Sequence, residues 1–247
     1  MPQEEGNTLL NKKEKMELNT ERFYKKKRSN QNVFGVLLAF ILLCIVMSIL
    51  SPIFLTPANI INVLQQISIN SIIAVGMTFV ILLAGIDLSV GAIVAFTGLI
   101  MAILMKSFSV SVWLALIAGL VSASILGLVN GILVTKLRLP PFIATLGMLS
   151  VARGAAFTVS NGQPIYSFPE SFLEISGRIG IIPIPAIIMI VVFILAWYVL
   201  KYTKLGRYTY AIGGNETASI LSGINVDLNK IIVYTLSGFF CGISAIL

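Results

Sequence analysis

The sequence contains no histidine, and that absence removes the Ser-His-Asp triad, the Cys-His pair and the HExxH zinc site from consideration. It has two cysteines, Cys44 and Cys241, each inside a long apolar run, where a thiol serves as a small buried hydrophobe rather than as half of a disulfide or metal framework. Gly-Lys never occurs as a dipeptide, which excludes a phosphate-binding loop of the GxxxxGK[ST] type. ATP, if used, has to be bound by a partner subunit, and no cofactor is expected in this chain. Charge is scarce too, at 11% of 247 residues against about 25% in soluble domains.

What is present is apolar: 57% of the residues are hydrophobic and the mean hydropathy is +0.97. These values specify an integral membrane protein. Residues 1–32 hold eight Lys/Arg and five Asp/Glu, leaving nine and five for the rest of the chain. The basic cluster Arg22, Lys25, Lys26, Lys27 and Arg28 directly precedes an apolar segment, so it reads as a topology signal facing an anionic leaflet and not as a nucleic-acid patch. A signal peptide is excluded because the basic part is too long and Ser51-Pro52-Ile53-Phe54 is no cleavage site.

From 29 to 86 no residue is charged, a stretch of 58 positions that accommodates two helices at about 20 residues per crossing. Pro52 and Pro57 mark the connector between them. Later uncharged runs cover 88–105, 107–135, 139–152, 154–169, 179–200 and 231–247. They predict seven helical segments, near 33–50, 60–84, 88–105, 111–135, 141–160, 183–200 and 230–247. Continuous runs instead of alternation exclude a β-barrel. The expected fold class is all-α: a polytopic transmembrane helical bundle of about seven spans over 33–247, preceded by the basic tail 1–32.

Lys136, Arg138, Lys201, Lys204, Arg207 and Lys230 fall in connections on the side of the tail, whereas the opposite connections hold only Lys106 and Arg178 among the basic residues, with Glu170 and Glu174 in 161–182. By the positive-inside rule the N-terminus and the 201–229 connection are cytoplasmic and 161–182 is external. Asn215-Glu216-Thr217 is then a chance glycosylation match on the wrong side. Gly127-x-x-x-Gly131 and Gly238-x-x-x-Gly242 fit the small-residue pattern for close helix approach, a weak signal among 20 glycines.

Few residues are positioned to act on a solute. Asp87 sits in Ala84-Gly85-Ile86-Asp87-Leu88-Ser89-Val90-Gly91, where one helix ends and another begins; it is either a cap accepting from the Ser89 or Val90 N–H or a path residue. Arg153 lies about 18 Å into its span and either lines a polar path or snorkels outward toward Asn161 and Gln163. Gln65, Gln66 and Asn70 form a polar stripe, with Gln66 and Asn70 on one face, equally suited to helix contact and to solute contact. In 201–229, Asn215 is a good N-cap, Glu216 complements the helix dipole and Gly223 is a natural terminator, which predicts a helix of about two turns over 215–223. So short a helix is marginal alone and suits a partner's groove.

The runs Gln65-Gln66-Ile67-Ser68, Ala74-Val75-Gly76-Met77-Thr78-Phe79-Val80-Ile81 and Gly85-Ile86-Asp87-Leu88-Ser89-Val90-Gly91 closely resemble the ribose/xylose/galactoside class of ATP-binding-cassette sugar importer permeases. So do Leu139-Pro140-Pro141-Phe142-Ile143-Ala144-Thr145-Leu146-Gly147-Met148 with Arg153-Gly154, and Gly206-Arg207 through Gly213-Gly214-Asn215-Glu216-Thr217-Ala218 to Gly223-Ile224. The resemblance covers 33–247 and implies a permease subunit without enzymatic activity in a bacterial cytoplasmic membrane. Its implied partners are a cytoplasmic ATP-binding subunit, an extracytoplasmic sugar-binding protein and a second permease, identical or not. The solute implied is ribose or another monosaccharide.

On this resemblance 215–223 becomes the coupling helix, with Gly214, Asn215, Glu216, Thr217, Ala218 and Gly223 as the ATPase-facing residues; Gln66, Asn70, Asp87 and Arg153 are the candidate translocation path. Family members continue through further spans, so this sequence is expected to be shortened at its C-terminus. The alternatives are an ion-coupled secondary transporter using Asp87 or Arg153, and an intramembrane enzyme, for which a histidine-free chain offers little.

Overall fold

The computed structural model describes residues 35–247, in two compact units divided at Ile60 and Ile61. The basic tail, 1–32, lies outside the described residues. Helix α1 (Gly35–Leu50) belongs to the first unit. It is apolar and exposed over most of its length, from Val36 at 71% to Leu50 at 74%, with Cys44 and Ser48 partly buried. The connector follows at Ser51, and Pro57 opens α2 (Pro57–Leu82), where a missing N–H costs nothing. The Asn59 side chain holds this turn by donating to the Phe54 carbonyl at 2.8 Å.

The second unit, Ile61–Leu247, contains the rest of α2, then α3 (Val90–Lys106), α4 (Val112–Thr135), α5 (Pro141–Ser160), α7 (Ile184–Tyr202) and α10 (Val226–Ile246). Among the described residues five helices, α2, α4, α5, α7 and α10, are long and apolar enough to cross a membrane; α1 and α3 are shorter apolar helices. The seven expected segments and the all-α bundle are therefore observed, with boundaries displaced by at most about four residues. The largest displacement is at α10, which starts at Val226 because the Asn225 side chain accepts from the Leu228 N–H at 3.0 Å.

Four elements go beyond the expectation. Between α5 and α7 lie a one-turn helix α6 (Glu170–Leu173), a 3₁₀ turn (Glu174–Ser176) and a hairpin of two-residue strands, β1 (Arg178–Ile179) and β2 (Ile182–Pro183), pairing Arg178 with Pro183 and Ile179 with Ile182. Between α7 and α10 the chain forms α8 (Lys204–Gly214) and then α9 (Glu216–Leu221).

The seam of the bundle is the crossing of α4 and α10. A Cβ on Gly127 would run into the Tyr234 carbonyl oxygen, one on Gly238 into the Ala123 carbonyl oxygen, and one on Gly131 would stand 2.8 Å from the Ile231 Cα. The two Gly-x-x-x-Gly motifs thus face each other within one chain, where small residues let backbones touch and dispersion replaces the absent hydrophobic driving force. Helix α2 joins on the other side of α10, with Gly76 against Ser237 and Phe79 against Phe240 at a ring separation of 6.3 Å.

Candidate functional site

Helices α8 and α9 share one hinge residue. Asn215 is extended (φ −159°, ψ 102°), ends α8 and caps α9, its Oδ1 accepting from the Ala218 N–H at 2.9 Å. Its own backbone carbonyl accepts from the Ser219 hydroxyl at 2.9 Å, which turns Ser219 inward. At the far end Gly223 takes a left-handed φ of +79°, and the Ile224 N–H returns to the Ser219 carbonyl at 3.1 Å. A residue with a Cβ adopts that conformation only at a cost, which is why glycine closes the helix. The expected capped helix over 215–223 is present, with six residues in helical geometry.

Gly214, Asn215, Glu216, Thr217, Ala218 and Gly223 are all exposed. So are Ile220 at 56% and Leu221 at 84%, which give α9 an apolar tip. Sequence reasoning missed these two, although their position one turn after the cap was the available signal. The base of the pair is fixed: Gly213 of α8 lies so close to the Leu82 carbonyl that no Cβ fits between them, and the Lys230 ammonium donates to the Glu216 carboxylate at 2.8 Å. A second ion pair, Lys136 with Asp227 at 3.4 Å, ties the end of α4 to the start of α10.

Asp87 lies in the extended segment between α2 and α3, 1% exposed. The helix N-cap is Ser89, two residues later; the Asp87 Oδ1 accepts from both the N–H and the hydroxyl of Ser89, and its Oδ2 accepts from the Ser237 hydroxyl of α10 at 3.2 Å. Asn130 of α4 donates its side-chain N–H to the Ser89 Oγ at 2.8 Å. This buried network satisfies non-helical backbone at membrane depth, the condition under which such backbone is tolerated. Gln66, Asn70 and Arg153 are not among its partners.

Gln66 and Asn70 are exposed on one face of α2, with Thr78 further along it. Gln65 turns instead toward the Ser176 carbonyl, and Asn62 accepts from Arg178 at 3.2 Å. Arg153 is exposed on α5, makes no hydrogen bond or ion pair among the described residues, and lines an open cleft of about 420 Å³ with Phe157, Ser160 and Gln163.

Residues 59–247 match the family described as the permease component of branched-chain amino acid transport systems. The chain is 44% identical over 216 residues to the ribose import permease protein RbsC of Escherichia coli, covering 85% of this chain and 67% of that protein. Its identity to RbsC of Bacillus subtilis is 44% over 214 residues, covering 85% and 66%. To the D-allose transport system permease protein AlsC of E. coli it is 38% over 213 residues, covering 84% and 65%. The chain thus spans about two thirds of the length of these relatives. No solved structure gives a significant match. With its bundle of apolar helices and this similarity across most of its length, the chain belongs to the transport-system permease family and is a multi-pass membrane protein of the ATP-binding-cassette importer permease type.

Proposed function

We propose that this chain forms part of the membrane path of an importer for ribose or a related monosaccharide, in a bacterial inner membrane with its N-terminus in the cytoplasm. It performs no chemistry itself. A separate ATP-binding subunit docks on α8 and α9, an extracytoplasmic binding protein delivers the sugar, and a second permease completes the path. The observation that carries this reading is α9: a capped, exposed helix with an apolar tip, tied to α10 by Glu216 and Lys230 and joined to α8, whose Gly213 sits against Leu82 of α2.

Gln66, Asn70 and Arg153 line the path. A guanidinium inside a span costs about 2.5–3.5 kcal/mol at the centre of lipid, so an exposed Arg153 without an ion-pair partner among the described residues belongs beside water. Asp87 acts as a pin and not as a solute contact, since its carboxylate oxygens already accept from Ser89 and Ser237. Three accepted hydrogen bonds at a buried carboxylate also argue against an ion-coupled carrier, in which the same oxygens would have to load and release an ion.

Uptake of D-ribose into vesicles holding the permease, its ATPase and its binding protein tests the reading. Uptake should require ATP and stop with vanadate. Sugar accumulation driven by an ion gradient without the ATPase would replace it with the carrier mechanism.

A further inference from the structure

Arg153 lies seven residues before the end of α5 at Ser160, about 10 Å along the helix, and no other described residue lining its cleft is charged. Ala95 and Leu99 of α3 form an apolar wall, Phe157 adds a ring that is 70% exposed, and Gln163 adds a carboxamide whose side chain makes no hydrogen bond among the described residues. The cleft is open and offers about 420 Å³ beside these residues, room for a monosaccharide held on one side.

The lining selects the ligand. A phosphate or carboxylate would find one guanidinium and, among the described lining residues, no second cation to share its charge. A neutral polyol uses the whole set: its hydroxyls accept from the guanidinium and exchange hydrogen bonds with the carboxamide, while an aromatic ring covers its C–H face.

We infer that the cleft between Arg153 and Gln163 is a receiving subsite for a neutral monosaccharide, with Phe157 as its platform. The inference rests on the proposed function and adds a place where the sugar pauses after release from the binding protein. By the charge asymmetry of the connections, this end of α5 is the outer one.

The test uses the complete transporter in vesicles of phosphatidylcholine, alone or with about a third phosphatidylglycerol, and D-ribose as the probe. Because the Arg153 and Gln163 side chains make no hydrogen bond or ion pair among the described residues, their variants should assemble with the ATPase as the wild type does, which co-purification verifies. Arg153→Gln and Gln163→Ala should each lower ribose uptake about tenfold, the loss expected from one charge-assisted or paired hydrogen bond. Arg153→Lys should recover only part, since it keeps the charge and loses the planar fork. Saturation-transfer NMR from the wild-type permease to ribose should give a signal that both variants lose.

Wild-type uptake and saturation transfer in both variants would overturn the subsite. An Arg153 effect confined to vesicles with phosphatidylglycerol would overturn it in favour of a lipid headgroup site. Failure of the wild-type complex to take up any sugar with ATP would overturn the proposed function, and this inference with it, a result distinct from variants that match an active wild type.

Discussion

The Lys230 ammonium donates to the Glu216 carboxylate at 2.8 Å, fastening α9 to α10 from a position 14 residues further along the chain. The side chains are 19% and 47% exposed respectively, so solvent screening limits the pair to about 1 kcal/mol or less. Its value lies in direction. Helix α10 continues from Lys230 to the glycine seam with α4, to Gly76 of α2, and through Ser237 to Asp87. A displacement of α9 therefore bears on a helix that, like α4 through Asn130, holds the break between α2 and α3.

Charge exchange tests that relationship. Glu216→Lys and Lys230→Glu should each leave insertion and thermal stability within about 1 kcal/mol of wild type, while weakening co-purification with the ATPase or uncoupling its hydrolysis from uptake. The double exchange should restore coupling in part. Equal defects in the single and double variants would show that the individual charges, and not their pairing, matter.

The seam gives a sharper contrast in stability. Gly127→Leu places atoms where the Tyr234 carbonyl stands, and nothing there yields without moving α10; overpacking of this kind costs about 1–3 kcal/mol or more. Gly154 has open space around its Cβ position, and Gly154→Ala should be neutral or slightly stabilising. Thermal unfolding in detergent should therefore fall sharply for Gly127→Leu and not for Gly154→Ala. Equal midpoints would contradict the crossing described.

Asp87 serves as an acceptor on both oxygens. Asp87→Asn keeps an oxygen for the Ser89 N–H but leaves the Ser237 hydroxyl to turn and accept from the new NH2, exchanging charge-assisted hydrogen bonds for neutral ones, and should cost about 1 kcal/mol. Asp87→Leu removes the acceptors altogether and should cost more, because Ser89 and Ser237 then lose their buried partner. The unfolding midpoint should fall in that order. An Asp87→Asn protein as stable as the wild type would show that the carboxylate is not required as a pin.

The long spans were legible because apolar run length alone specifies them, and Pro57 and the break at Asp87 were readable from local chemistry. Helix α8 was not, since Lys204, Gly206, Arg207, Gly213 and Gly214 give it the composition of a loop; only the spacing of Leu205, Thr209 and Ile212 marks a buried face, and tertiary docking on Leu82 supplies what propensity does not. The hairpin at 178–183 is held by two residue pairs around Gly180 at φ +63°, too short a pattern to detect. Asp87 was recognised as important, but its partner Ser237 lies 150 positions away, beyond the reach of spacing arguments. The cap at Asn215 and the terminator at Gly223 are local, so their geometry followed from the sequence.

Topology has its own measurement. In a background where Cys44 and Cys241 are replaced by serine, a cysteine introduced at exposed Ser167 should react with a membrane-impermeant maleimide from outside the cell, and one at Thr217 only after the inner face is opened. The reverse pattern would invert the orientation and place α9 out of reach of any cytoplasmic ATPase.

The central claim is that α9 carries the ATPase stroke, and the number of ATP molecules hydrolysed per sugar transported measures it most directly. Gly223→Val forces a β-branched residue into a left-handed conformation at φ +79° and should mis-aim the helix, whereas Gly223→Asn tolerates that conformation. In vesicles containing the complete transporter, Gly223→Val should insert normally yet raise ATP consumed per ribose severalfold or lose the ATPase, and Gly223→Asn should remain near the wild-type ratio. Normal ATPase association and a wild-type ratio in Gly223→Val, together with the same result in Glu216→Lys, would contradict the coupling role of α9.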